Sequence, residues 1–98
     1  MRLSNKEQQS IVSCITLLDP HSKVYLYGSR VDDNKRGGDI DILIVSETLN
    51  FQDKLKILVC IEKKIGEQKI DILISKAADV SNNTFIQTFF NEAILLNP

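Results

Sequence analysis

The sequence predicts an α/β chain of the α+β type, a single domain over residues 1–98 in which helices pack on a small mixed sheet of about three strands. Three observations carry this. Residues 24–27, the run Asp39-Ile40-Asp41-Ile42-Leu43-Ile44-Val45 and the run Ile70-Asp71-Ile72-Leu73-Ile74 are short and rich in β-branched residues, the composition of strands. The stretches around them carry apolar residues at helical spacing instead. The length of 98 residues suits one core of modest size, to which a partner surface would add stability.

In order, residues 4–18 read as the first helix. Ser4 and Glu7 have the spacing of a capping box, and Ile11, Ile15 and Leu18, flanked by Val12 and Cys14, form an apolar stripe that Asp19-Pro20 ends. Residues 24–27 then form a strand leading into Gly28-Ser29, a sharp turn with a short helical turn. A polar loop over residues 30–38 follows, closing with Gly37-Gly38 before the second strand. Residues 51–65 read as a helix with Phe51, Leu55, Leu58, Ile61 and Ile65 on one face and Gly66 at its end. Ile57, Val59 and Cys60 widen that surface, so either this helix is largely buried or part of it meets another chain. Residues 69–75 are the third strand. Asn82-Asn83-Thr84 offers an N-cap to a last helix carrying Phe85, Phe89, Phe90, Ala93 and Ile94.

The chemistry concentrates in residues 26–45. On a strand, residues two apart share a face, so Asp39 and Asp41 project together. Such a pair could be the solvated side of an edge strand, and Gly-Ser is a common loop dipeptide. Together at this spacing, with Asp71 repeating the pattern, they point elsewhere. Adjacent carboxylates repel and lose solvation, which a hard cation such as Mg²⁺ would relieve with its preference for oxygen ligands and phosphates. Free N–H groups at the Gly28-Ser29 turn favour a phosphate; Gly28 permits close backbone approach and Ser29 adds a hydroxyl. Arg30, directly after the turn, is a candidate triphosphate contact, whereas Lys35, Arg36, Asp32 and Asp33 read as a solvated loop.

The composition excludes several classes. A formal net charge of −1 gives no basic excess for long nucleic acid. No apolar run approaches the length of a membrane span, and the first residues lack a signal peptide's apolar core, so a cytoplasmic protein is expected. Cys14 and Cys60 read as buried reduced thiols, and the single histidine, His21, as a loop residue.

Gly28-Ser29, nine residues, Asp39-Ile40-Asp41-Ile42 and then Asp71 on a later strand resemble the DNA polymerase beta nucleotidyltransferase superfamily, and the small size resembles its minimal members, which accompany HEPN-domain proteins. The chain departs from these in a loop one residue shorter, in Val31 where alanine is common and in Asp33 near a common glycine. The resemblance implies a nucleotidyltransferase-like domain with a two-metal Mg²⁺ site on Asp39, Asp41 and Asp71, ATP as substrate and nucleotide contacts from Gly28, Ser29 and Arg30. It further implies an antitoxin that transfers AMP to a tyrosine hydroxyl of a HEPN toxin. Two alternatives stay open: a non-catalytic antitoxin acting by contact, and a subunit of a small-molecule nucleotidyltransferase within a homo- or hetero-oligomer.

Overall fold

A computed structural model describes residues 1–98. Helix α1 spans Asn5–Leu18, and its start is the expected capping box: Ser4 Oγ accepts from the Glu7 backbone N–H (3.0 Å) while the Glu7 carboxylate accepts from the Ser4 N–H (2.9 Å). Ile11, Cys14 and Ile15 bury its inner face. The chain then turns through Asp19, whose buried carboxylate accepts hydrogen bonds from the Ser46 hydroxyl and the His21 N–H. The Ser46 bond is the leading reason that Asp19 titrates below the ordinary carboxylate range. His21 thus lies in the turn, as its sequence context suggests.

The sheet has four strands. β1 is Lys23–Tyr27, β2 is Ile40–Val45, β3 is Ile70–Ser75 and β4 is Ile94–Leu95, in the order β3-β2-β1-β4. β1 pairs antiparallel with β2 and β4, whereas β2 and β3 run parallel, joined by helix α2 at Asp53–Ile65. The sheet is therefore mixed, with one strand more than expected. The extra strand comes from residues assigned above to the last helix. After a short helix α3 (Ala77–Val80), that segment instead breaks into a short helix α4 (Thr84–Gln87) and a 3-10 turn at Phe90–Glu92. Beyond the turn the chain extends, since the Asn97 side-chain amide holds it to the start of β1, accepting from the Val24 N–H (2.8 Å) and donating to the Ser22 carbonyl (2.9 Å). These long-range bonds override the local helical spacing.

The two faces of the sheet are covered differently. Val24, Leu26, Ile40, Ile42 and Ile44 are fully buried in one cluster with Ile11, Ile15, Ile57 and Ile61 of α1 and α2. On the other face, residues paired across the strands share a side. Tyr25 and Leu43 are such a pair; Leu43 is fully buried, and the Tyr25 ring lies 5.2 Å from that of Phe90 in the C-terminal turns. The same turns reach on to Tyr27, which stacks on Phe89.

Two expectations need correcting. Of the face expected on α2, Ile61 is fully buried and Ile65 packs against the core, but Phe51 and Leu55 are 79% and 69% exposed, and Ile57, expected only to widen the surface, is buried in their place. The helix starts at Asp53, leaving Phe51 outside it, and Lys54 Nζ sits 4.9 Å from the Phe51 ring centroid. Cys14 and Cys60 are not reduced thiols but a disulfide, because α1 and α2 lie side by side and bring the two Cα atoms to 5.8 Å. No helix is long and apolar enough to cross a membrane.

The disulfide closes a loop with a sequence separation of 46. Reduction, or Cys14→Ser, should therefore lower stability by up to about 4 kcal/mol through the unfolded chain's regained freedom. Thermal melts with and without reductant measure it; the Cys14→Ser variant should melt at the same temperature in both.

Candidate functional site

The register of the sheet assembles the site. Tyr27 pairs with Asp41 across β1 and β2, and Asp41 pairs with Asp71 across β2 and β3. One rung thus carries tyrosine, aspartate, aspartate on one face, with Phe89 of the C-terminal turns stacked on the tyrosine. Asp39, just before β2, lies close enough for its charge to act on Asp41. Asp41 and Asp71 therefore face the same way, with Asp39 nearby.

Like charges this close raise the cost of ionisation. Asp41 is held above the ordinary carboxylate range, first by burial, then by the negative charges of Asp71 and Asp39 and by a hydrogen bond with Asp71. The Tyr27 hydroxyl is pushed up as well, by burial and then by Asp41 and Asp71. Asp39 has a cationic partner: Lys69 Nζ lies 3.6 Å from its carboxylate. No three acidic side chains are gathered tightly enough to hold a metal as they stand. The donor set nonetheless fits a hard divalent cation, since it offers only carboxylate oxygens, with a surplus of negative charge that protein groups leave uncompensated at Asp41 and Asp71.

Two glycines let the turn and the acidic strand lock together. A Cβ on Gly28, built on its left-handed backbone at φ 77°, would lie 2.3 Å from Asp41 Oδ2; one on Gly38 (φ 89°) would lie 2.3 Å from Ser29 Oγ. The bare Cα of Gly28 therefore receives the Asp41 carboxylate, and Gly38 receives the Ser29 hydroxyl. Gly28–Val31 forms a 3-10 turn of four residues. So short an element has little macrodipole, and what it offers a phosphate is the unpaired N–H groups of its first turn and the Ser29 hydroxyl.

Arg30 and Arg2 brace this loop. The Arg30 guanidinium donates to the Gly38 carbonyl (3.2 Å) and to the Arg2 carbonyl (3.0 Å), which occupies it inside the loop. Arg2 donates to three carbonyls at once, those of Ser29 (2.8 Å), Gly37 (2.8 Å) and Asp32 (2.9 Å). Its own N–H reaches the Arg30 carbonyl (2.7 Å). Sequence reasoning missed Arg2, since nothing in its local pattern marks a residue whose bonds go to a segment 27 to 35 positions later. Next to the turn, a cleft of about 250 Å³ is lined by Tyr27, Gly28, Ser29, Lys35, Phe89 and Glu92 among others.

Two outcomes follow from this geometry. Because the folded chain holds the Asp41 proton more tightly than the unfolded chain, stability is lost as pH rises from the ordinary value of 3.8 through the raised folded value. Without divalent metal, Asp41→Asn should then melt above wild type at neutral pH, and the gain should vanish below pH 3.8, where both states are protonated. Arg2→Ala should speed amide exchange at residues 29–38 by at least about tenfold, as charge-assisted bonds worth about 1.5–3 kcal/mol each are lost. Hydrogen exchange by mass spectrometry reads it.

A family model described as "Polymerase beta, Nucleotidyltransferase" matches residues 9–97. No curated protein matches the chain significantly.

Proposed function

The chain belongs to the polymerase beta nucleotidyltransferase family, and from that membership and the row of acids across β2 and β3 we propose that it transfers AMP from ATP to a tyrosine hydroxyl of a HEPN-domain partner. The single observation that supports the catalytic part is the register that puts Asp41 beside Asp71, with Asp39 nearby, against the Gly28-Ser29 turn. A family member of this kind uses a nucleoside triphosphate and a divalent metal. Asp39, Asp41 and Asp71 would hold Mg²⁺, which supplies charge neutralisation at the phosphates and a lowered pKa for the attacking hydroxyl.

The chain's own residues do the positioning. The backbone N–H groups of the Gly28-Ser29 turn and the Ser29 hydroxyl hold phosphate oxygens, and the lock between Gly28 and Asp41 keeps that cradle a fixed distance from the acids. The acceptor oxygen forms a bond to the α-phosphorus, the bond from that phosphorus to the pyrophosphate oxygen breaks, and the hydroxyl proton passes to solvent. Arg30, braced on Gly38 and Arg2, serves this arrangement by fixing the loop. The use of ATP agrees with a cytoplasmic setting, where the Cys14–Cys60 bridge would face reducing conditions.

A second reading has an observation of its own. A groove of about 570 Å³ on α2 is lined by Leu55, Val59, Cys60 and three lysines, with Leu55 69% and Val59 44% exposed. Apolar surface of this kind suits a protein contact, and a partner could be neutralised by contact there without transfer.

Incubation of the protein with a HEPN-domain partner, ATP and Mg²⁺ separates the two. Mass spectrometry should show one adenylyl group added to a partner tyrosine, and Asp39→Asn or Asp71→Asn should slow that transfer by about a hundredfold or more while leaving partner binding intact. Full neutralisation of the partner by Asp39→Asn with no mass added would establish contact alone.

A further inference from the structure

The cleft beside the Gly28-Ser29 turn is unlike the rest of the surface, because it joins a phosphate-type turn, an aromatic wall and one charge of each sign. Tyr27 and Phe89 stack nearly parallel, with ring centroids 3.8 Å apart and planes at 12°, and Phe85 packs edge-on against Phe89 at 5.5 Å. Three rings held against one another form a rigid wall, and two of them, Tyr27 and Phe89, line the cleft. Lys35 and Glu92 line it as well, yet neither is in an ion pair: the chain's ion pairs are those of the N-terminus with Asp33 and of Lys69 with Asp39. Lys35 is held in place by its backbone, its N–H and that of Asn34 both donating to Asp32.

We propose that this cleft is the nucleobase and sugar site of the nucleotide donor, with Tyr27 and Phe89 as the stacking wall and Glu92 selecting a base that bears an exocyclic amine. The proposal rests on the transfer reading above and adds to it where the base lies and which bases are accepted. At about 250 Å³ the cleft is smaller than the roughly 300–1,000 Å³ of a site for a whole ligand, so it holds part of a nucleotide while the phosphates continue over the turn toward Asp41. A flat heterocycle gains most against an aromatic wall. The Glu92 carboxylate is an acceptor only, which matches the amine of adenine, guanine or cytosine and opposes the O4 carbonyl of uracil. Lys35, on the same cleft as Gly28 and Ser29, is the free cation for the phosphates, since Arg30 is spent on Gly38 and Arg2.

Titration calorimetry with the α,β-methylene analogues of ATP and UTP in Mg²⁺ tests this. Wild type should bind the ATP analogue more tightly. Phe89→Ala should weaken both by about fivefold or more, the lower end of a lost base stack. Glu92→Gln, which supplies an amide donor, should narrow the preference for adenine over uracil without changing the melting temperature, since Glu92 is exposed. Should Phe89→Ala fail to fold, Glu92→Gln decides alone. Equal binding of the two analogues by wild type, or wild-type preference in Glu92→Gln, overturns the base site. If nucleotide still binds in that case and is lost in Gly28→Val, the transfer reading stands without it; if wild type binds neither analogue, both readings fall.

Discussion

Everything in this chain is arranged around one unfavourable contact, the approach of carboxylates paired across β2 and β3. A parallel pair in register puts Asp41 directly beside Asp71, and no protein cation is placed between them. Burial and like charge then raise the Asp41 pKa, so the folded state carries a penalty at neutral pH that the hydrophobic core must offset. The core is built for it. Ile40, Ile42 and Ile44 alternate with the acids and are fully buried, so the strand that carries the charge is also among the best anchored in the molecule. A shift of one residue would move the acids into the core and the isoleucines into water, which is why the register is so strongly specified.

Rigidity near the acids comes from polar bonds rather than packing. Residues 32–38 are exposed, and burial contributes little there. Arg2 and Arg30 instead draw the loop together through five donated hydrogen bonds to backbone carbonyls, and each arginine also ties the segment before α1 to the loop. Guanidinium suits the task because its fork reaches several carbonyls at once and stays charged at any working pH. Gly28 and Gly38 complete the arrangement by removing the side chains that would keep turn and strand apart. A phosphate cradle so held loses little freedom on binding.

Much of this was legible in the sequence, and the parts that were not share a cause. The capping box of α1, the three main strands, the Gly28-Ser29 turn and the nearness of Asp39 to Asp41 depend on neighbours in the chain, which pattern reveals. β4, the Cys14–Cys60 bridge and the Arg2 clamp depend on partners far along the chain, as with Asn97 and Ser22 at a separation of 75 and the cysteines at 46. Local spacing carries no trace of such partners. The α2 face was read correctly at Ile61 and Ile65 but not at Leu55, for a related reason. Apolar residues occur almost all round that helix, and only the position of the sheet and α1 decides that Ile57 and Ile61 go inward while Leu55 stays out.

The two sides of the sheet divide the work that a small domain must do. One side is given wholly to α1 and α2, which supply the core. The other is split at the middle: Tyr25, Leu43 and Phe90 close one half, and the acids occupy the other. Tyr27 stands at the border, stacked on Phe89 on one hand and paired with Asp41 on the other. The same aromatic cluster that holds the C-terminal turns to the sheet is thus in contact with the rung that carries the charge. Any substitution that loosens those turns should therefore reach the site through Tyr27, even though Phe85 and Phe89 belong to a segment that bears none of the acids.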